Sequence, residues 1–206
     1  MEELIQKLTS EGYLKTPRII EAFRKIHRRD FLPDKIKEDY ALNIPLSIGY
    51  GQTISQPLTV AFMLELLEPV EGDKILDVGS GSAWTTALLA YIVGPKGKVY
   101  AIERIPQIKD FGENNLKNYD FKNIEVFCGD GSRGLSEFAP YDNIQVGAAA
   151  QMGIPQALLE QLKVGGKLVI PVGQYSQDMV LVTKTDNDKY DEKKFPGFQF
   201  VPLIEG

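Results

Sequence analysis

The sequence predicts an α/β fold: a doubly wound, mostly parallel sheet of seven strands, with helices on both faces, an N-terminal helical extension and antiparallel C-terminal edge strands. Three observations predict it. From Asp73 onward, short apolar runs alternate with helix-period segments, the pattern of a parallel sheet covered on both faces. Residues 74–89, KILDVGSGSAWTTALL, read as a strand that breaks into a glycine-rich turn and re-emerges as a helix, the unit with which doubly wound proteins hold nucleotide-like ligands. After residue 172 the helices stop and two β-type runs remain.

Residues 2–8 and 17–26 read as short helices, because Leu4, Ile5 and Leu8, then Ile19, Ile20, Phe23 and Ile26, fall at helical spacing. Thr16 ahead of Pro17 is placed as an N-cap. The following segment ends before Pro33, since a residue preceding proline is pushed out of the α region. Residues 34–50 have no period and read as loop. Pro57 opens a helix with Val60, Met63, Leu64 and Leu67 on one face, and Ser55 or Gln56 is its expected cap. Strands are expected at 74–78, 98–103, 124–130, 141–148 and 167–172, with helices at 82–93, 106–118 and 155–162 and a Gly94-Pro95-Lys96-Gly97 turn. MVLVTK and FQFVPL, separated by the polar TDND turn, read as antiparallel strands at one sheet edge. No repeat or linker interrupts the chain. It reads as one domain, 1–206, with N-terminal helices and a covering loop (1–56), a core (57–172) and C-terminal strands (173–206).

Composition bounds the function. With 206 residues, 43% hydrophobic and 25% charged, the chain is long enough for one full core. No apolar run reaches membrane-spanning length, and the acidic, amphipathic N-terminus is unlike a signal peptide. One cysteine, Cys128, forbids an internal disulfide and predicts a cytoplasmic protein; with one histidine, His27, no His/Cys metal site is expected. Cys128 itself reads as buried strand packing. A net charge of −5 argues against nucleic acid as a partner, and no membrane partner is expected. The basic run Arg24, Lys25, His27, Arg28, Arg29 reads as the solvated end of a helix whose dipole favours cations.

Gly79-Ser80-Gly81-Ser82-Ala83-Trp84 departs from the dinucleotide pattern G-x-G-x-x-G at its third glycine, where Trp84 stands. That glycine lets helix and strand pack closely around a pyrophosphate, so the turn suits a ligand without phosphate. There is no G-K-[ST] for a nucleoside triphosphate. Glu103 ends the next strand, 22 residues after Gly81, where an acid accepts hydrogen bonds from both ribose hydroxyls. Gly129-Asp130-Gly131 offers a carboxylate and a glycine turn at the same edge, suited to adenine. Upstream, Gln52, Thr53 and Ser55 bring three polar side chains within four positions. A bare nucleoside on this fold points to S-adenosylmethionine (AdoMet).

The runs GYGQTISQP, ILDVGSGSAW, YAIERIP, GDG, APYD, VGAAA, IPQALLEQLKVGGKLVIPVG and FVPL, in that order, resemble the protein-L-isoaspartate O-methyltransferase family of Rossmann-like, class I AdoMet-dependent enzymes along nearly the whole chain. The resemblance implies methyl transfer from AdoMet, leaving S-adenosyl-L-homocysteine (AdoHcy), to the α-carboxylate of L-isoaspartyl residues in damaged proteins and peptides, which starts their repair. It implies Ser55 and Thr53 as catalytic residues, and Gln52, Thr53, Ile54, Ser55, Asp77, Gly79, Ser80, Gly81, Ser82, Glu103, Arg104, Asp130 and Gly131 as cofactor-binding residues. No metal is expected; the sequence is silent on oligomeric state, for which a monomer is the expectation. The chain departs from the family pattern at Gln56, Leu58, Ala83 and Gln151, the last with one apparent extra residue. Two alternatives from other classes are a tRNA adenine methyltransferase, which the acidic balance opposes, and a non-catalytic AdoMet- or peptide-binding paralogue, motivated by Gln56, Leu58 and Gln151. A divergent AdoMet-dependent enzyme with another acceptor is a third.

The expected chemistry needs little. A peptide α-carboxylate with a pKa of about 3.5 is already an anion at neutral pH, so no general base is required. Orientation and exclusion of water are required. Ser55 is therefore expected to orient the carboxylate, with no base present to activate it as a nucleophile.

Overall fold

The computed structural model describes residues 1–206. Helices α1 (Glu2–Ser10) and α2 (Pro17–Lys25) form as their periods predict, burying Ile5 and Leu8 and then Ile19, Ala22 and Phe23. Thr16 sits at the N-cap of α2 but makes no side-chain capping bond; its hydroxyl donates to Glu65 at 2.8 Å. The expected loop at 34–50 is corrected. It holds a 3₁₀ helix, Asp34–Ala41, and strand β1 (Leu46–Gly49), which pairs antiparallel with β2 (Gln52–Ile54). Strands of four and three residues are too short to print a period. Helix α3 (Pro57–Leu67) follows, with Gln56 at its N-cap making no side-chain bond. Neither Ser55 nor Gln56 is the side-chain cap. Asn43, fifteen residues upstream of Leu58, accepts the Leu58 N–H at 3.0 Å instead.

The core alternates as predicted: β3 (Lys74–Val78), α4 (Trp84–Val93), β4 (Lys98–Glu103), α5 (Pro106–Leu116), β5 (Ile124–Cys128), β6 (Tyr141–Val146), α6 (Gln156–Glu160), β7 (Leu162–Val172), β8 (Gln177–Asp186) and β9 (Lys189–Phe198). The seven-stranded sheet runs β5-β4-β3-β6-β7-β8-β9, with the first five strands parallel and the last two antiparallel. From β3 the chain steps outward to β4 and β5, then returns to β6 on the other side of β3 and steps outward again to β7. Right-handed crossovers in opposite directions put their helices on opposite faces. Accordingly Ile75 and Val99 pack with α1 to α5, while Leu76, Val78, Ile144 and Val146 pack with Leu158 of α6.

The C-terminal edge needs one correction. The final strand is Lys189–Phe198; FQFVPL is not a strand beyond its first residue. Residues 199–203 leave the sheet and return toward its carboxyl end, where the Ala149 N–H donates to the Val201 carbonyl and the Leu203 N–H to the Ala149 carbonyl, each at 2.8 Å. Charged residues and Pro196 on β9 leave that exposed edge a poor template for pairing.

Two packing expectations fail. Cys128 is exposed, lying at the end of edge strand β5. Arg28 is fully buried, not part of a solvated helix end. Trp84 lies under the N-terminal helices: Phe23 meets it edge-on at 5.5 Å and its indole N–H points to the Ile26 carbonyl at 3.4 Å.

Candidate functional site

The strand order reverses between β4 and β6 about β3, and open α/β sheets bind ligands at the carboxyl ends of strands beside such a switch. The chain after β3 turns there through Gly79 (φ 72°) and Gly81 (φ 55°), a left-handed conformation that glycine adopts at little cost. The Gly79 and Ser80 N–H groups donate to the Ile102 carbonyl at 2.8 and 3.2 Å, pinning the loop to the end of β4. Glu103 completes the frame. Its two carboxylate oxygens accept the Gly81 and Ile105 N–H groups, each at 3.0 Å, so the carboxylate is locked with acceptor capacity to spare.

These loops line a cleft of about 150 Å³, partly open to solvent. Its floor comes from Val78, Gly79 and Gly81 after β3, Glu103 and Arg104 after β4, Gly131 after β5, and Gly147 after β6, with Gln52 and Thr53 of β2 opposite. Two glycines allow the close approach. A Cβ on Gly131 would lie 2.5 Å from Val78 Cγ1, and one on Gly147 would lie 2.9 Å from the Gly79 carbonyl oxygen. Val201, Pro202 and Leu203, expected in a strand, form the remaining wall together with Ile204.

Beneath the glycine loop lies a smaller chamber, lined by Ile54, Ser55, Asp77, Ser80, Ser82 and Gln145 among others. Asp77 is almost fully buried and accepts the Thr86 hydroxyl; burial pushes its carboxyl up to about 7, with the Glu103 charge adding to the rise. A third space, a groove of about 880 Å³, runs between α3 and the end of β9, lined by Tyr13, Leu58, Phe62, Phe195, Phe198 and Phe200 with Ser55 and Gln56. Thr53 and Gly147 border all three spaces, so cleft, chamber and groove meet at one junction.

Of the residues expected here, Gln52, Thr53, Gly79, Gly81, Glu103, Arg104 and Gly131 border the cleft, and Ile54, Ser55, Asp77, Ser80 and Ser82 the chamber. Asp130 borders neither. Its Oδ1 accepts the Ser132 N–H and hydroxyl, and its Oδ2 accepts the Gly206 N–H at 2.9 Å. Arg104 also reaches the C-terminal segment, donating to the Ile204 and Gly206 carbonyls.

Arg28, Gln145, Gly147 and the 201–204 wall were not expected. Arg28 donates to the carbonyls of Tyr40, Leu42, Ile44 and Ser55 at 2.9 to 3.3 Å, and its guanidinium lies 5.5 Å over the Trp84 ring. Burial lowers it to about 10, so it is still a cation at neutral pH. Its buried charge stands among carbonyl dipoles, holding the 40–44 segment and the loop before α3 together. In sequence, only the small residues of VGAAA after β6 hinted that a loop approaches the site there.

No group of three or more His, Cys, Asp or Glu is arranged to hold a metal ion. No helix is long and apolar enough to cross a membrane.

The arrangement has close parallels. A sequence model of the family described as protein-L-isoaspartate(D-aspartate) O-methyltransferase matches residues 1–206. A protein-L-isoaspartate O-methyltransferase of Methanopyrus kandleri is 45% identical over 205 residues, covering 98% of this chain and 90% of its own. One of Ignicoccus hospitalis is 46% identical over 205 residues, covering 98% and 96%. A solved protein-L-isoaspartate O-methyltransferase superposes with a TM-score of 0.90 at 27% identity, covering 99% of this chain and 66% of that one. A Plasmodium falciparum chain solved in complex with S-adenosyl-L-homocysteine shares the fold, with a TM-score of 0.88 at 23% identity over 99% and 98% of the two chains.

Proposed function

The chain belongs to the protein-L-isoaspartate(D-aspartate) O-methyltransferase family, and from that membership we infer that it transfers a methyl group from AdoMet to the α-carboxylate of L-isoaspartyl residues in damaged proteins and peptides. The observation that carries the reading is the junction at Thr53 and Gly147, where the cleft beside the glycine loop opens into the apolar groove along α3.

The cleft fits the cofactor. Glu103 stands with free acceptor sites where two ribose hydroxyls would lie, and the missing side chains at Gly131 and Gly147 let those loops pack against Val78 and the Gly79 carbonyl at the cleft floor. Gln52, Thr53, Gly79, Gly81, Glu103, Arg104 and Gly131 would hold the nucleoside, and Asp77, Ser80, Ser82, Ile54 and Ser55 would surround the amino-acid tail. Asp130 acts by shaping the turn at Gly131. When bound, AdoMet supplies an electrophilic methyl group on a sulfonium.

The chain's own residues then have one task, to bring an anion up to that methyl group in line and dry. The isoaspartyl α-carboxylate is ionised at neutral pH, so no residue needs to remove a proton. Thr53, at the junction, and Ser55, shared by chamber and groove, supply hydroxyl donors that hold one carboxylate oxygen and leave the other free. Phe62, Phe198, Phe200 and Val201 wall the groove with apolar surface that excludes water around the charged pair. Gln56 and Leu58, the departures from the family pattern, both line this groove and touch the peptide side of the site. A single cysteine suits a cytoplasmic repair enzyme.

Tritiated methyl transfer to an isoaspartyl peptide, with the normal aspartyl peptide as control, tests the reading. Base-labile label in the isoaspartyl peptide alone is expected; label in neither peptide, with AdoHcy still bound, would mark a binding paralogue.

A further inference from the structure

Gln145 is a buried amide that nothing in the protein uses. It lies on β6 opposite Asp77 of β3, in register on neighbouring parallel strands, so both side chains project from the same face into the chamber beneath the glycine loop. Gln145 is 3% exposed, yet its Oε1 has no hydrogen-bond partner. A buried acceptor left without a donor costs about 1–3 kcal/mol, so such an atom persists where a ligand completes it. The amide turns about a soft terminal torsion, which lets the oxygen swing onto a donor placed in the chamber.

The chamber's chemistry selects that donor. Asp77 is the one ionisable side chain lining it, and burial holds that carboxyl near 7. The charged group that acts on Asp77 is Glu103 at the end of β4, which raises it further; Thr86 on α4 donates its hydroxyl. A buried carboxyl beside an unused amide oxygen makes a small cationic receptor. A primary ammonium matches it, with one proton for each acceptor and a charge opposite that of the carboxylate.

Given the methyl-donor reading above, on which this rests, we propose that Gln145 is a positioning residue whose amide oxygen, beside Asp77, receives the α-ammonium of the cofactor's amino-acid tail. Holding the tail at that end fixes the rotation of the chain that carries the sulfur, and so aims the methyl group at the Thr53–Ser55 junction.

Three ligands separate the contributions in calorimetric titrations: AdoHcy, its deaminated analogue lacking only the ammonium, and 5′-methylthioadenosine lacking the whole tail. Wild type is expected to bind AdoHcy at least about tenfold more tightly than the deaminated analogue. In Gln145→Met, which keeps the volume and removes the acceptor, that preference falls below about threefold while 5′-methylthioadenosine binds as before. Gln145→Glu keeps an oxygen at the same place and retains the preference. Unfolding midpoints confirm that the variants fold, with Gln145→Met expected at or above wild type, since Oε1 makes no bond in the protein. A tenfold preference surviving in Gln145→Met, no preference in wild type, or equal weakening of all three ligands overturns the proposal. A wild-type protein that binds none of the three overturns the methyl-donor reading itself.

Discussion

The Arg28 guanidinium donates to the carbonyl oxygen of Ser55 at 3.0 Å, tying a fully buried cation to the residue that borders both chamber and groove. No carboxylate pairs with this charge; five carbonyls, of Tyr40, Leu42, Ile44, Ile54 and Ser55, and the Trp84 ring stabilise it. The same side chain thus fastens the 40–44 segment, the loop before α3 and the start of α4. A lysine cannot span these acceptors, having one compact ammonium in place of a planar fork. Arg28→Lys should lose about 2–4 kcal/mol in urea unfolding. It should lower kcat about tenfold while the AdoHcy Kd moves less than about threefold, since the main nucleoside contacts lie elsewhere.

Ser55→Ala should keep the fold and much of the AdoHcy affinity but lose about tenfold to a hundredfold in kcat/KM for an isoaspartyl peptide, the size expected for one orienting donor. Its pH profile should keep the wild-type shape between pH 6 and 9, because Ser55 neither loses nor passes a proton. A new ionisation in the Ser55→Ala profile would show that the hydroxyl takes part in proton transfer.

Gly147→Ala places a methyl group 2.9 Å from the Gly79 carbonyl oxygen, which must shift and take the glycine loop with it. Loss of about 1–3 kcal/mol of stability and about tenfold weaker AdoHcy binding are expected, read by thermal unfolding and calorimetry.

Asp77 gives a pH signature. Its carboxyl ordinarily ionises near 3.8, and burial first, then the Glu103 charge, raises it to about 7 in the folded protein. The folded state therefore holds a proton that the unfolded state releases. Below about pH 4 both states are protonated and the group costs nothing; as pH rises toward 7 the cost grows, and above 7 it is constant. Asp77→Asn should stabilise the ligand-free protein above pH 7, by up to about 4 kcal/mol at 1.36 kcal/mol per pKa unit, with the gain vanishing near pH 4. Urea unfolding at pH 4.5 and 8 reads the difference. Equal gains at both values would contradict the raised ionisation.

What the sequence made legible was local. Gly79, Gly81 and Glu103 could be placed because a strand end, a glycine turn and an acid at the next strand end are fixed by short stretches of chain. Arg28 could not. Within Arg24 to Arg29 it looks like any cation at a helix end, and only the arrival of Tyr40, Leu42, Ile44 and Ser55 from elsewhere distinguishes it. The β1–β2 hairpin has strands too short to show alternation, and the 199–203 segment alternates without pairing as a strand, because its partners are Ala149 and the Gln177 side chain. Asp130 was read from its position beside a glycine, but where its oxygens point depends on Ser132 and Gly206. Contacts between residues distant in sequence decided Arg28 and the 199–203 segment.

Direct, in-line transfer to a carboxylate held by Thr53 and Ser55 is tested most directly by the configuration of a chiral methyl group. AdoMet carrying hydrogen, deuterium and tritium on its methyl carbon, turned over with an isoaspartyl peptide, should yield a methyl ester of inverted configuration, one displacement having occurred. Retained configuration would require two displacements through a methylated residue of the enzyme, and with it a nucleophilic role for Ser55 that the site as described has no base to support.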